Sequence, residues 1–262
     1  MSKSLCFGFL IGVAIFALTG VGASQLQNKN SGLNKTNEED YQREVVDATP
    51  VQLGVLTMRQ QFHGRLFNGV GMHVGGKTIT EWIASYRGQR IVLVTSLMGR
   101  QFLESAEPPT TEDYFGRLAK DSDAIIRGRV TSKVSQITED DSFLFTDYDV
   151  AVSEVLKGSE SSPVSIGSKI VVTWAGGKIV IDDVIMKAGG NGDALLPVGE
   201  QDLLLFVKFI PETGAYKLTQ GNAAFELSGV SVRPLAGLLP LPSEIFKDQA
   251  SFLKTVKAVS TK

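Results

Sequence analysis

The chain has 262 residues, 43% of them hydrophobic, with 26 basic and 28 acidic side chains, 27 Gly, 9 Pro and a single Cys. This composition excludes a disordered chain, a collagen-like repeat and a small disulfide scaffold, and the length allows one large core or two smaller ones. With a sequence pI of about 5.8, the chain lacks the surplus of basic residues found in nucleic-acid-binding proteins, so no nucleic-acid partner is expected.

The first 23 residues have the order of a secretory signal peptide: a lysine, an apolar run and then small residues. Lys3 precedes the uncharged run 5–18, and Val21 and Ala23 occupy the small-residue positions before a cleavage site, so we expect cleavage after Ala23. The alternative is an uncleaved anchor, but a run of about 14 residues is short of the roughly 20 that a spanning helix needs. The sequence therefore predicts a periplasmic or secreted protein whose mature chain has no integral membrane span.

Cleavage would remove Cys6, the one cysteine of the chain. The mature protein would then have no disulfide, no thiolate nucleophile and no sulfur ligand for a metal. Export without disulfides is typical of bacteria, so we expect a bacterial protein. Residues 24–49 are polar and offer little to bury, which favours a flexible linker.

Residues 50–108 are predicted as a small β-rich N-terminal region. The apolar positions of 51–58 indicate a strand, the glycines of 64–76 indicate hairpins, 78–86 fits a short helix and 90–95 fits a further strand. A module of fewer than about 60 residues is marginal alone, so we expect this region to pack on the residues beyond its boundary at Pro108-Pro109.

Residues 110–235 are predicted as the main β-domain. Thr110 fits the cap of a helix. Beyond this helix the pattern of apolar residues becomes typical of strands, at 124–130, 143–156, 169–174, 178–181, 202–209, 216–219 and 223–227. Within 143–156, alternation predicts that Leu144, Thr146, Tyr148, Val150 and Val152 share the inner face, and that Asp147, Asp149 and Ser153 take the outer one. Gly176-Gly177 suits a tight hairpin.

The C-terminal segment 243–259 is predicted as one amphipathic helix. Its apolar stripe comprises Phe246, Ala250, Leu253 and Val256. Docking on the β-domain is the favoured interpretation, because the helix lacks the basic face of a membrane-surface helix. The predicted fold class is thus mainly β: an antiparallel OB-like barrel with a few helices, including this C-terminal one.

The β-domain also resembles a set of poorly characterised exported bacterial proteins over about residues 111–228. The resemblance lies in its turn and strand elements, which are similar to the OB-like barrels of secreted proteinase-inhibitor and netrin-type domains. These elements are residues 122–130, 145–148, 152–158, 167–172, 176–177, 198–200, 203–206 and 214–216. The resemblance implies a β-barrel and no particular catalytic residue, and the N-terminal cysteine of the inhibitor domains is absent.

Candidate chemistry is sparse, because the sequence has no zinc-protease, nucleophile-elbow, P-loop or CxxC motif. His63 and His73 are the two histidines, and with Glu81 or Asp47 they are the candidates for a metal site or for acid–base catalysis. A pair of histidines ten residues apart arises easily by chance. We therefore expect no catalytic residue, no metal and no cofactor.

A glycine-rich loop is the remaining candidate for ligand contact. It comprises Gly189, Gly190, Asn191, Gly192 and Asp193 and forms a possible binding rim. The sequence as a whole predicts a non-enzymatic binding or envelope-structural protein that contacts an unknown protein or envelope ligand. The alternatives are an inhibitor or regulator of an extracytoplasmic hydrolase, and a hydrolase that uses His63 or His73 with carboxylates.

Overall fold

The computed structural model of the chain describes residues 30–51, 58–67, 77–96, 110–189, 196–219, 223–235 and 241–260. The predicted signal segment, His73 and the Pro108-Pro109 boundary lie outside these residues. Among the described residues, none forms a helix long and apolar enough to cross a membrane.

Five α-helices and eleven strands make up the described structure, together with the 3₁₀ helices Gly64–Phe67 and Ser243–Phe246. The helices are α1 (Asn30–Val46), α2 (Met58–His63), α3 (Ile79–Ala84), α4 (Thr111–Asp121) and α5 (Gln249–Ser260). The strands are β1 (Thr49–Pro50), β2 (Ile91–Ser96), β3 (Ala124–Ile137), β4 (Leu144–Lys157), β5 (Lys169–Ala175), β6 (Gly177–Ile181), β7 (Val184–Gly189), β8 (Asp202–Ile210), β9 (Ala215–Leu218), β10 (Ala224–Leu227) and β11 (Val232–Pro234). The prediction of a mainly β protein with a C-terminal helix is confirmed.

The strands form two sheets. The smaller has the order β1-β6-β7-β2, and the larger has the order β11-β10-β8-β3-β4-β5-β9, in which β9 also pairs with β8. The expectation of a purely antiparallel arrangement is only partly right, because β1–β6, β2–β7 and β5–β9 are parallel pairs. Each parallel pair joins strands that are far apart in the chain, where a tight turn does not dictate direction.

The β3–β4 pair runs through both hydrophobic cores. Leu144 and Phe145 belong to a small cluster under the smaller sheet, whereas Tyr148, Val150 and Val152 belong to a large cluster within the larger sheet. The three latter side chains are buried, as the alternation predicts. The β3–β4 pairing has three register shifts, all in the part of the ribbon that contributes to the large cluster, and such irregularities bend and twist a strand.

Gly176-Gly177 is the point where the chain crosses from one sheet to the other. The predicted hairpin is wrong here, because β5 pairs with β4 and β9 while β6 pairs with β7 and β1. Gly176 has φ +97°, and a Cβ on Gly177 would lie 2.6 Å from Thr146 Oγ1 and 2.8 Å from Ser135 Oγ. These two hydroxyls lie 2.9 Å apart, so the backbone must pass directly over a hydroxyl pair.

Two of the α-helices, α3 and α4, begin directly after a threonine that caps them. Thr110 Oγ1 accepts from the Asp113 N–H at the start of α4, and Thr78 and Glu81 form a reciprocal capping box on α3. The single helix predicted over 243–259 is instead a 3₁₀ turn followed by α5, because Asp248 Oδ1 accepts from the Ala250 N–H and begins a new helix.

The buried face of α5 also differs from the predicted stripe. Phe252 and Val256 are the buried residues of α5, while Ala250 is exposed. The Phe252 ring packs against Phe115 of α4 and Phe225 of β10. This aromatic contact fixes which side of α5 faces the large cluster.

In the N-terminal region, α3 and β2 match the predicted helix and strand, whereas other described parts differ from their predicted form. The segment expected as a linker contains α1, whose Tyr41 is buried and donates its hydroxyl hydrogen to the Asp183 carbonyl. Met58, expected at the end of a strand, begins α2, and Gly64, expected in a hairpin, begins a 3₁₀ helix. The strands β1 and β2 pair with β6 and β7, so residues on both sides of the Pro108-Pro109 boundary share one sheet.

We expect Gly177→Ala to lower the free energy of unfolding by about 1–3 kcal/mol, because the added methyl group overlaps the hydroxyl pair. Gly116→Ala is the matched control, since a Cβ at this helical position meets nothing within 4 Å. The control should gain about 0.5–1 kcal/mol. Urea denaturation measures both changes, and equal effects of the two substitutions would contradict the crossing geometry.

Candidate functional site

The α2 segment places His63 against the outer face of β4. The inward positions of α2 and of the 3₁₀ helix that follows it are Gln60, His63, Gly64 and Phe67, all buried and spaced three and four residues apart. The Gln60 amide donates to the Ile137 carbonyl, and the Phe67 ring stacks on Phe145 at 5.7 Å between centroids. These contacts hold the helix on the β3–β4 ribbon and direct the imidazole into it.

His63 and Asp147 form a buried pair. The His63 Nδ1 lies 2.9 Å and 3.0 Å from the two carboxylate oxygens of Asp147. The side chain of His63 is 6% exposed and that of Asp147 is inaccessible. An ionised carboxylate only accepts hydrogen bonds, so Nδ1 carries the hydrogen and donates it. This contact fixes the ring orientation and leaves Nε2 as the second functional atom of the imidazole.

A cavity of about 370 Å³ lies beside this pair. It is lined by Met58, Phe62 and His63 from α2, by Val171 from β5, and by the turn residues 212–215. Thr173 is the cross-strand neighbour of Asp147, and its buried Oγ1 has no hydrogen-bond partner in the described part of the chain. The arrangement can bind an apolar group, and its oriented imidazole can exchange a proton with a bound molecule.

The outward face of α2 is apolar. Met58 is 66% exposed and Phe62 is 40% exposed, four residues apart on one helical face, and Leu66 comes next at 36%. Within α2 itself, polar Gln60 and His63 lie inside and apolar Met58 and Phe62 lie outside, which reverses the usual distribution, and Leu66 lies in the 3₁₀ helix that follows. We call Met58, Phe62 and Leu66 the α2 surface.

A second cavity, of about 390 Å³, is rich in charge. Three lysines line it, Lys133, Lys178 and Lys187, together with two acids, Glu44 and Asp47, and the segment 196–198. We call it the lysine cavity. It lies on the other side of β3 from Asp147, since Lys133 and Val134 alternate along the strand and Val134 is the partner of Asp147.

The residues considered as candidate metal ligands do not come together. His63 binds Asp147, Glu81 caps α3, Asp47 pairs with Lys133, and His73 lies outside the described residues. In the part of the chain that the structure describes, no group of three His, Cys, Asp or Glu residues is placed to hold a metal ion.

The possible binding rim lies largely outside the described residues. Gly189 is the last residue of β7, and Gly190, Asn191, Gly192 and Asp193 fall beyond it, between the described ranges. The turn between β6 and β7 is formed by Asp182 and Asp183, both with positive φ, which is typical of a tight hairpin. The rim therefore stays a prediction.

Sequence reasoning missed Asp147 and the lysine cavity. Alternation placed Asp147 on a face expected to contact water, because the pattern of one strand does not reveal that α2 covers that face. Lys178 opens an otherwise apolar strand segment and is 7% exposed, so an isolated lysine in such a run was the available signal.

We expect His63→Ala to destabilise the protein by about 1–3 kcal/mol, because it removes the imidazole hydrogen bond of the buried Asp147 carboxylate. The double variant His63→Ala, Asp147→Asn should be more stable than His63→Ala alone, since the buried charge is removed as well. Urea denaturation of the wild type, both single variants and the double variant completes a double-mutant cycle. Strictly additive losses would contradict the pairing.

The comparisons with known proteins add no assignment to this geometry. No protein-family model matches the chain, and no curated protein is significantly similar to it.

Proposed function

We propose that the chain is an exported, non-enzymatic binding protein that contacts a protein partner through the α2 surface. The observation that carries this proposal is the reversed polarity of α2, with buried Gln60 and His63 and exposed Met58 and Phe62. Large exposed apolar side chains grouped around a cavity mark interaction sites more often than scattered surface residues do.

The chemistry of the surface specifies the partner. Met58 and Phe62 offer apolar contact area, and methionine adapts its shape to different partners. The adjacent cavity accepts one apolar side chain, and Glu212 contributes a carboxylate to its lining. The complementary ligand is therefore a protein segment that carries an apolar side chain next to a lysine or arginine.

We further propose that the larger sheet closes into an OB-like barrel. The pairings β8–β3, β3–β4, β4–β5, β5–β9 and β9–β8 return to their starting strand, which supports closure. Their order, with one parallel pair, is consistent with the resemblance to secreted proteinase-inhibitor and netrin-type barrels. A rigid barrel supplies the platform on which α2 is displayed.

A hydrolase is the second candidate function, and the His63–Asp147 pair favours it. An imidazole oriented by a carboxylate beside a cavity is the arrangement of a general base. In this role His63 would take a proton from water that attacks a bound ester or amide, and would return it to the leaving group. The buried Asp147 would hold the ring in place.

Export is tested by mass spectrometry of the protein purified from its native host. We expect a polypeptide that begins near Ser24, because cleavage after Ala23 removes the signal segment. Fractionation should recover it without membrane extraction. A cytosolic chain that still carries Met1 would contradict the proposal.

Binding is tested by quantitative capture of envelope proteins with three forms of the chain. We expect the wild type to capture a partner protein, and Phe62→Asp to capture at least about tenfold less of it. The reason is that a charge on the α2 surface opposes the burial of apolar area. Val230→Asp is the matched control, since Val230 is 77% exposed and does not line the cavity.

Two results would contradict contact through α2. One is equal capture by Phe62→Asp and the wild type, and the other is the absence of any captured protein. Turnover of a chromogenic ester by the wild type, lost in Asp147→Asn and retained in Val230→Asp, would favour the hydrolase instead.

A further inference from the structure

The lysine cavity concentrates positive charge from three strands. Lys133 lies on β3, Lys178 on β6 and Lys187 on β7. Lys178 and Lys187 are direct cross-strand partners, and like charges in that relation repel each other. Lys178 is only 7% exposed, and a buried ammonium group is costly unless an anion accompanies it. The cluster therefore depends on carboxylates or on another anion.

The chain supplies two carboxylates from the end of α1 and the turn after it. Glu44 lies 2.6 Å from the Lys178 ammonium, and Asp47 lies 2.5 Å from that of Lys133 and 3.6 Å from that of Lys178. Burial alone would raise the pKa of the Asp47 carboxyl, but the two lysines outweigh it and hold that pKa below its ordinary value. The cavity thus recognises ionised carboxylates.

Several of the described contacts of α1 are polar and exposed. Besides these pairs, the described contacts of α1 include the ion pair of Glu38 with Arg90 and the ring and hydroxyl of Tyr41. The Glu38 and Arg90 side chains are 43% and 56% exposed, and ion pairs of that exposure contribute about 0–1 kcal/mol. Asp47 is half exposed as well. A soluble carboxylate can therefore compete with the end of α1.

The remaining wall of the lysine cavity is apolar. It is formed by Leu196, Pro197 and Val198, and Val198 is 43% exposed. A volume of about 390 Å³ falls in the range of small-molecule sites. The cavity therefore pairs a carboxylate-binding side with a surface for a short hydrocarbon or ring.

We propose that the lysine cavity binds a small organic dicarboxylate. Its two carboxylates take the positions of those of Glu44 and Asp47 on the lysines, and its carbon skeleton packs on the segment 196–198. The acids of the α1 region act as internal competitors, so that ligand binding displaces them from the lysines.

Isothermal titration of the purified protein with phthalate, with succinate and with inorganic phosphate tests the site. We expect one phthalate per chain, with tighter binding than succinate because of its ring. Asp47→Asn should bind phthalate about tenfold more tightly, since one competing carboxylate is removed. Lys178→Gln should abolish binding, and Lys208→Gln, which changes an exposed lysine outside the cavity, should leave it unchanged.

Circular dichroism establishes that each variant is folded before titration. Should Lys178→Gln not fold, Lys133→Gln replaces it, because Lys133 also pairs with Asp47 and its loss should weaken phthalate binding by at least about tenfold. Phe62→Asp should bind phthalate like the wild type, so this site and the α2 surface are tested separately.

Four results would overturn the proposal. The first is equal affinity of the wild type and the lysine variant for phthalate, and the second is weaker binding of phthalate by Asp47→Asn than by the wild type. The third is tighter binding of inorganic phosphate than of either dicarboxylate, and the fourth is no binding of phthalate by any folded form. The third result would assign the cavity to phosphate.

Discussion

The pairing of β3 with β4 is the interaction on which both cores depend. The ribbon contributes Leu144 and Phe145 to the small cluster and Tyr148 and Val150 to the large one. Its register shifts lie beside the large cluster, and the Ser135–Thr146 hydroxyl pair lies at the point where β5 leads into β6. A disturbance of this junction reaches both sheets, since close-packed protein interiors transmit the displacement of one side chain to its neighbours.

The N-terminal region completes both cavities with polar groups. Its α1 segment brings carboxylates to buried lysines, and α2 brings an imidazole to a buried carboxylate. Each of these contacts supplies a partner to a buried charged group, and burial of such groups is costly without partners. The same region buries Tyr41, Phe67 and Trp82 but leaves Met58 and Phe62 of the α2 surface exposed.

Local features of the fold are predictable from the sequence. Thr110 and Thr78 begin their helices because each supplies a side-chain acceptor for an unpaired backbone N–H group, and Tyr148 and Val150 point inward because β4 alternates. Features that depend on distant segments are not predictable in this way. The burial of Asp147 depends on α2, and the role of Gly177 depends on two hydroxyls from β3 and β4.

The parallel pairs of the smaller sheet have a consequence for the order of folding. Thr49 pairs with Ile179, and Ile91 pairs with Val184, so β1 and β2 cannot find their partners until most of the chain has been synthesised. Closing such long loops costs chain entropy before any pairing compensates for it, which slows the formation of non-local contacts. The β3–β4 ribbon, joined by a short turn, can form first, and the N-terminal segments then dock on a β6–β7 hairpin that is already in place.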